Sequence, residues 1–163
     1  MRTSIFALTI FLLISPGGLS QSKPLPRFDA YPVHEQFLGK PASLKLTESR
    51  ARMFRTMLRQ NAAKGVNFAG HYVAATWGCG ADCVSFAIID ARTGHVYFIP
   101  SLLSVGGFGY SPDADRIQFR VDSRLLVAVG APNDKGYVGK YYYLWKSNRL
   151  RLVRAVADRT YRG

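Results

Sequence analysis

The side chains of this chain best suited to chemistry are two cysteines, three histidines and a few aspartates. Cys79 and Cys83 lie in Trp77-Gly78-Cys79-Gly80-Ala81-Asp82-Cys83, with His71 upstream and His95 downstream. A thiolate beside an imidazole is a nucleophile, and a carboxylate can orient the ring. Cys79 or Cys83 with His71 or His95, and Asp82 or Asp90 as the orienting acid, would therefore make a small thiol-dependent hydrolase. That chemistry requires a free thiol. A redox dithiol more typically has two intervening residues, and here there are three. A zinc site would need both cysteines plus two of His34, His71 and His95, a spacing that matches no zinc motif. There is no G-x-S-x-G elbow, and Gly106-Gly107-x-Gly109 is not followed by Lys-Ser/Thr as a phosphate loop would be. No metal or cofactor is expected.

Whether the thiols are free depends on the compartment. Arg2 precedes an apolar run, Ile5 to Ile14, followed by Ser15-Pro16-Gly17-Gly18-Leu19-Ser20. These are the three parts of a secretory signal peptide, with cleavage after Ser20. The run is too short for a spanning helix, which needs about 20 apolar residues, so no transmembrane anchor is expected after cleavage. A periplasmic or secreted location follows, and there an even number of thiols favours a disulfide. Four steps of extended strand cover about 13 Å, whereas bonded cysteines need Cα atoms within about 7 Å. If Cys79 bonds Cys83, a turn must separate two strands between them.

The charge balance is strongly one-sided. Lys and Arg number 22 against 10 Asp and Glu. Loss of residues 1–20 removes only Arg2, leaving a net +11. Most of the cations are arginine, which grips carboxylate and phosphate with a two-pronged fork. Arg52, Arg55 and Arg59 share one face of a helical segment, and Arg149, Arg151 and Arg154 flank an aromatic hairpin. In that hairpin Tyr141, Tyr143 and Trp145 alternate with Tyr142 and Leu144. One face must be core, and the other is a candidate recognition surface. These three aromatics and six arginines are the candidate ligand-binding residues, with an anionic envelope component or an acidic protein as the partner and no specific nucleic acid.

The supporting elements follow from periodicity. Hydrophobic residues make up 48% of the chain, too many for a disordered one. Residues 21–46 carry Pro24, Pro26, Pro32 and Pro41 and read as an extended lead-in packed on the domain. Thr47 to Lys64 predicts one amphipathic helix, capped by Thr47 and stopped at Gly65, with Ala51, Phe54, Leu58 and Ala62 as its apolar stripe. From Phe68 onward the period is two. Asp90-Ala91-Arg92-Thr93-Gly94 carries turn chemistry, the Gly106 to Gly109 stretch reads as a flexible loop, and Lys146-Ser147-Asn148 joins the last hairpin. The expected fold is α+β and mainly antiparallel β: a meander of about seven strands after one helix, as a small barrel, a sandwich or a curved sheet. Residues 47–163 form its single domain.

The run Phe68-Ala69-Gly70-His71-Tyr72, then Trp77-Gly78-Cys79-Gly80-x-x-Cys83, then Asp90-x-x-Thr93-Gly94-x-Val96, resembles a group of small exported bacterial proteins of unknown function. Ser123-Arg124-Leu125-Leu126 and Tyr141-Tyr142-Tyr143-x-Trp145 fit the same pattern. The resemblance implies export and a shared fold, and it carries no catalytic residue. The expectation is an exported, non-enzymatic binding protein of the bacterial envelope. The alternatives are the thiol-dependent hydrolase, or an inhibitor or immunity protein against an acidic hydrolase or toxin.

Overall fold

A computed structural model describes residues 23–107 and 115–160. The expected leader, residues 1–20, and Gly109 of the glycine-rich loop lie outside the described residues. The first long element is a hairpin of β1 (Tyr72–Gly80) and β2 (Cys83–Asp90), paired from Tyr72 opposite Asp90 to Gly80 opposite Cys83. The required turn is present, with Asp82 left-handed at φ 52° and a Cys79–Cys83 disulfide across it at a Cα separation of 5.1 Å.

At the other end of β2 the chain turns as its sequence dictates. Asp90 Oδ1 accepts from the Arg92 amide at 2.8 Å, and the Asp90 carbonyl accepts from the Gly94 amide at 2.8 Å. Gly94 has φ +73°, and a Cβ there would lie 1.9 Å from the Ser43 carbonyl oxygen. Glycine is thus required both by the turn and by the lead-in that crosses it.

Six further strands follow: β3 (Val96–Tyr97), β4 (Ser104–Gly106), β5 (Ile117–Phe119), β6 (Leu125–Pro132), β7 (Gly139–Lys146) and β8 (Arg149–Ala157). Every pairing between them is antiparallel. The extra strand is β4, which ends at Gly106, where the expected flexible loop begins. Gly130 explains why glycine stands there: its Cβ would lie 2.2 Å from the Gly106 carbonyl oxygen. The glycines of β4 and β6 permit close backbone approach rather than motion.

The strand order is β1-β2-β4-β6-β7-β8, with β3 beside β2 and β5 beside β6. The path is open, so the barrel option is corrected. Instead the sheet folds over one shared core. Phe86 and Ile88 of β2 and Leu126, Tyr141, Tyr143 and Trp145 of β6 and β7 bury into the same cluster. The opposite face of β1 and β2 packs Val73, Ala75, Ala87 and Ile89 under helical residues Ala51 and Leu58. The opposite face of β6 and β7 packs Leu125, Val127, Val129 and Tyr142 under Phe28 and Tyr31 of the lead-in. Covered on both faces, β6 is buried along its whole length.

The single expected helix is divided into α1 (Ser49–Met53) and α2 (Arg55–Ala62). The break falls at Phe54, with φ −96° and ψ 17°, and seats its ring against Trp77 at 5.0 Å and Phe98 at 6.4 Å. Thr47 is not the cap. Glu48 takes that position without a side-chain bond, and the Arg52 guanidinium donates to the Thr47 carbonyl. The apolar stripe nevertheless faces the sheet, because Ala51 and Leu58 are buried and Asn61 Nδ2 donates to the Thr76 carbonyl at 3.1 Å.

Candidate functional site

The hairpin β1–β2 separates the sulfurs from the imidazoles. Cys79 lies near one end of β1 and His71 just before the other, about 26 Å away along an extended strand. His95 lies across the Asp90–Gly94 turn, at the His71 end. Both sulfurs are bonded to each other, so no Cys/His pair of the alternative hydrolase is assembled. The two candidate orienting acids have other partners. Asp82 pairs with the buried Arg116 at 3.2 Å, and Asp90 closes its own turn. The five zinc candidates are likewise divided, with His34 and His71 on one cleft and the bonded cysteines at the far end of the hairpin.

At the His71 end the lead-in crosses the sheet and forms a cleft of about 530 Å³. Its segment is tied at both sides: the Val33 amide donates to the Asp122 carbonyl at 2.9 Å, and the Phe37 amide to the Gly70 carbonyl at 2.8 Å. His34 and Glu35 between these ties form one wall. His71, Arg92, Arg124 and Lys146 come from the sheet side. Arg124 is fixed through its backbone, its amide donating to Tyr31 and its carbonyl accepting from Trp145, each at 2.9 Å. The Ala91 amide donates to the His71 carbonyl at 2.9 Å and so ties the Arg92 turn to His71. The one carboxylate among the lining residues, Glu35, approaches Arg92 at 3.9 Å. Arg124 and Lys146 make no ion pair among the described residues.

Burial, with Arg92 adding to it and Asp90 opposing it, holds the His71 imidazole below its ordinary range. Its ring lies against that of Tyr72, centroids 4.0 Å apart and planes tilted by 35°. Burial also pushes the Tyr72 phenol up, and its hydroxyl donates to Asn148 Oδ1 at 3.1 Å. Beyond Asn148 lies a second cleft of about 420 Å³, lined by His95, Tyr97, Glu48 and Arg149 among others.

The two arginine rows differ. Arg52, Arg55 and Arg59 are all exposed, but Arg52 and Arg55 donate to carbonyls of their own segment. Arg149, Arg151 and Arg154 lie on β8, the terminal strand of the sheet, which has a neighbour on one side only. Arg151 and Arg154 line a groove of about 570 Å³ with Lys23 and Arg27 of the lead-in and with Leu152 and Val153, which are 49% and 38% exposed. Arg27 already pairs with Asp29 at 3.1 Å. Arg151 and Arg154 make no ion pair among the described residues.

The expected aromatic recognition face is corrected. Tyr141, Tyr143 and Trp145 are 8%, 4% and 3% exposed and belong to the shared core. Alternation rightly places Tyr142 on the other face, but that face is covered by the lead-in.

No protein-family model, no curated protein and no solved structure matches the chain.

Arg92, Arg124 and Lys146 were not singled out by the sequence. Arg92 and Lys146 stand in turn contexts, and Arg124 precedes a strand. Their signal is lone cations on three turns, and only the folding-over of the sheet makes those turns neighbours.

Proposed function

We propose that the chain is an exported, non-enzymatic binding protein of the bacterial envelope, whose arginine-rich β8 edge receives an anionic partner. The observation that carries this is the groove beside β8. Four cations, Lys23, Arg27, Arg151 and Arg154, border exposed Leu152 and Val153, and the paired Asp29 is the neighbouring acid. A charged edge also guards against unwanted strand pairing, but guarding does not call for a lead-in that builds a groove with further cations alongside. The disulfide is consistent with an oxidising compartment. The buried aromatics support β7 and β8 from beneath and are not contact residues.

An acidic protein, as an inhibitor or immunity protein would bind, is the form of partner that the geometry favours. An extended acidic segment could pair with the free edge of β8 while its carboxylates meet the arginines. The test is capture from envelope extract on immobilised protein at about 0.1 M and about 1 M salt, across which the Debye length falls from about 10 Å to about 3 Å. Release of an acidic species at high salt, lost after protease treatment of the extract, supports this reading. Salt-insensitive capture, or capture unaltered by Arg151→Glu with Arg154→Glu, overturns it.

A further inference from the structure

The cleft between the lead-in and the sheet has a charge pattern that the β8 edge does not use. We propose that it is a separate binding site for a small dianionic oxyanion, a phosphate group either free or as a monoester, held by Arg92, Arg124 and Lys146. Three observations carry the assignment. First, the residues lining the cleft carry these three cations against one carboxylate, Glu35, a net +2 counting the imidazoles as neutral, with Asp90, engaged in its own turn, as the further acid near His71. Second, the walls are preorganised: backbone hydrogen bonds at Val33, Phe37, Ala91 and Arg124 hold the segments that carry the charges. Little ordering is then required when an anion enters. Third, Arg124 and Lys146 have no carboxylate partner among the described residues. The two guanidinium forks match the oxygens of a phosphate, and the lysine adds a point charge.

The volume, about 530 Å³, lies in the range of small-ligand sites and exceeds the needs of a bare anion. A phosphomonoester of a small alcohol therefore fits as well as the free ion. Glu35 is the opposing element. It holds Arg92 at 3.9 Å and places a negative charge in the cleft, so an entering dianion competes with it. The sign of its substitution thus separates a ligand site from a structural cluster. A cluster that only stabilises the fold loses by removal of Glu35, whereas an anion site gains.

His71 supplies a pH response. The groups facing it are Asp90 and Arg92 on the turn beyond β2, His34 and Glu35 on the lead-in, Arg124 and Lys146 near β7, and Tyr72 beneath its ring. A bound dianion favours the imidazolium, so binding takes up a proton. Affinity then rises as pH falls.

The experiment is calorimetric titration of the purified protein with sulfate, whose charge is constant between pH 5.5 and 8, at fixed ionic strength. Inorganic phosphate and glycerol phosphate form parallel arms at constant pH. One saturable site is expected, tighter at pH 5.5 than at pH 8. Arg124→Ala and the exposed Lys146→Gln should each weaken it by about tenfold, Glu35→Gln should tighten it severalfold, and Arg151→Glu should leave it within about twofold. A preference for glycerol phosphate identifies a monoester as the ligand, and equal affinity identifies the free anion. Absence of a saturable site, or Lys146→Gln and Arg124→Ala variants that fold and bind like the parent, overturns the proposal. The β8 reading is untouched by that failure, because its capture assay depends on Arg151 and Arg154.

Discussion

Tyr72 and Trp145 meet edge to face, ring centroids 5.2 Å apart at 82°. Yet Tyr72 opens the strand at one end of the sheet, and Trp145 lies on the strand next to the other end. The contact closes the fold-over of the sheet, and the Tyr72 hydroxyl bonded to Asn148 reinforces it. Trp145→Ala should cost about 3–5 kcal/mol, the scale for emptying a large aromatic from a core. Tyr72→Phe should cost about 1 kcal/mol, the net worth of one hydrogen bond. Urea unfolding checks both. A Trp145→Ala midpoint within error of the parent would mean that the fold-over does not depend on this contact.

The Cys79–Cys83 ring is short. Loop closure over five residues gives about 2 kcal/mol at most, before strain is subtracted. Cys79→Ser with Cys83→Ser should therefore lower stability modestly and leave a folded protein. Sulfate titration should be unaltered, because the cleft lies at the opposite end of the hairpin. Thiol titration of the native protein should find no reactive thiol. One reactive thiol would reopen the hydrolase alternative.

Reversal of Arg151 and Arg154 together should lower salt-sensitive capture by at least about tenfold at low ionic strength. The same reversal at Arg52 and Arg55, whose guanidinium groups are engaged with local carbonyls, should change capture by less than about twofold. Surface plasmon resonance at two salt concentrations separates the rows. Equal loss from both would reduce the interaction to net charge alone.

His71 makes stability pH-dependent in a definite direction. Its folded imidazole titrates below the ordinary 6.5. As pH falls through about 6.5 the unfolded chain takes up this proton first, and stability falls until the folded imidazole is also protonated. His71→Gln should flatten that slope below about pH 6.5 in urea unfolding, and a slope equal to the parent's would place the pH dependence elsewhere.

Tyr143 governs the alkaline side. Burial, with a smaller contribution from Tyr141, pushes its phenol up to about 12 from the ordinary 10.0. The unfolded chain ionises first as pH rises above about 10, so stability falls between there and about 12. The absorbance rise of this tyrosinate should coincide with unfolding followed by circular dichroism. A Tyr143 that ionises near 10 while the protein stays folded would contradict its burial.

Local rules made several features legible. Gly94 marks a turn because only a residue tolerant of positive φ closes it. Ser147 and Asn148, at φ 51° and 57°, form a two-residue left-handed turn that the hairpin pattern anticipates. The apolar stripe Ala51, Phe54, Leu58 and Ala62 correctly gave the buried side of the helical segment, although contact with Trp77 accompanies a break that periodicity does not signal. Strand β4 was missed because its three residues, Ser104 to Gly106, are too few to alternate visibly.

The amino-acid order alone therefore determined the strand-rich class, the spacing of the turns, the excess of cations and the bond that two thiols so placed can make. Each depends on residues within a few positions of one another. Only the tertiary structure decided that both faces of β7 are covered, which removed its tyrosines and tryptophan from the surface. It also decided that Arg92, Arg124 and Lys146 share a cleft with His34 and His71. Those outcomes depend on which distant segment the chain lays over each sheet face. That choice is made by long-range packing of apolar area, which no local spacing records.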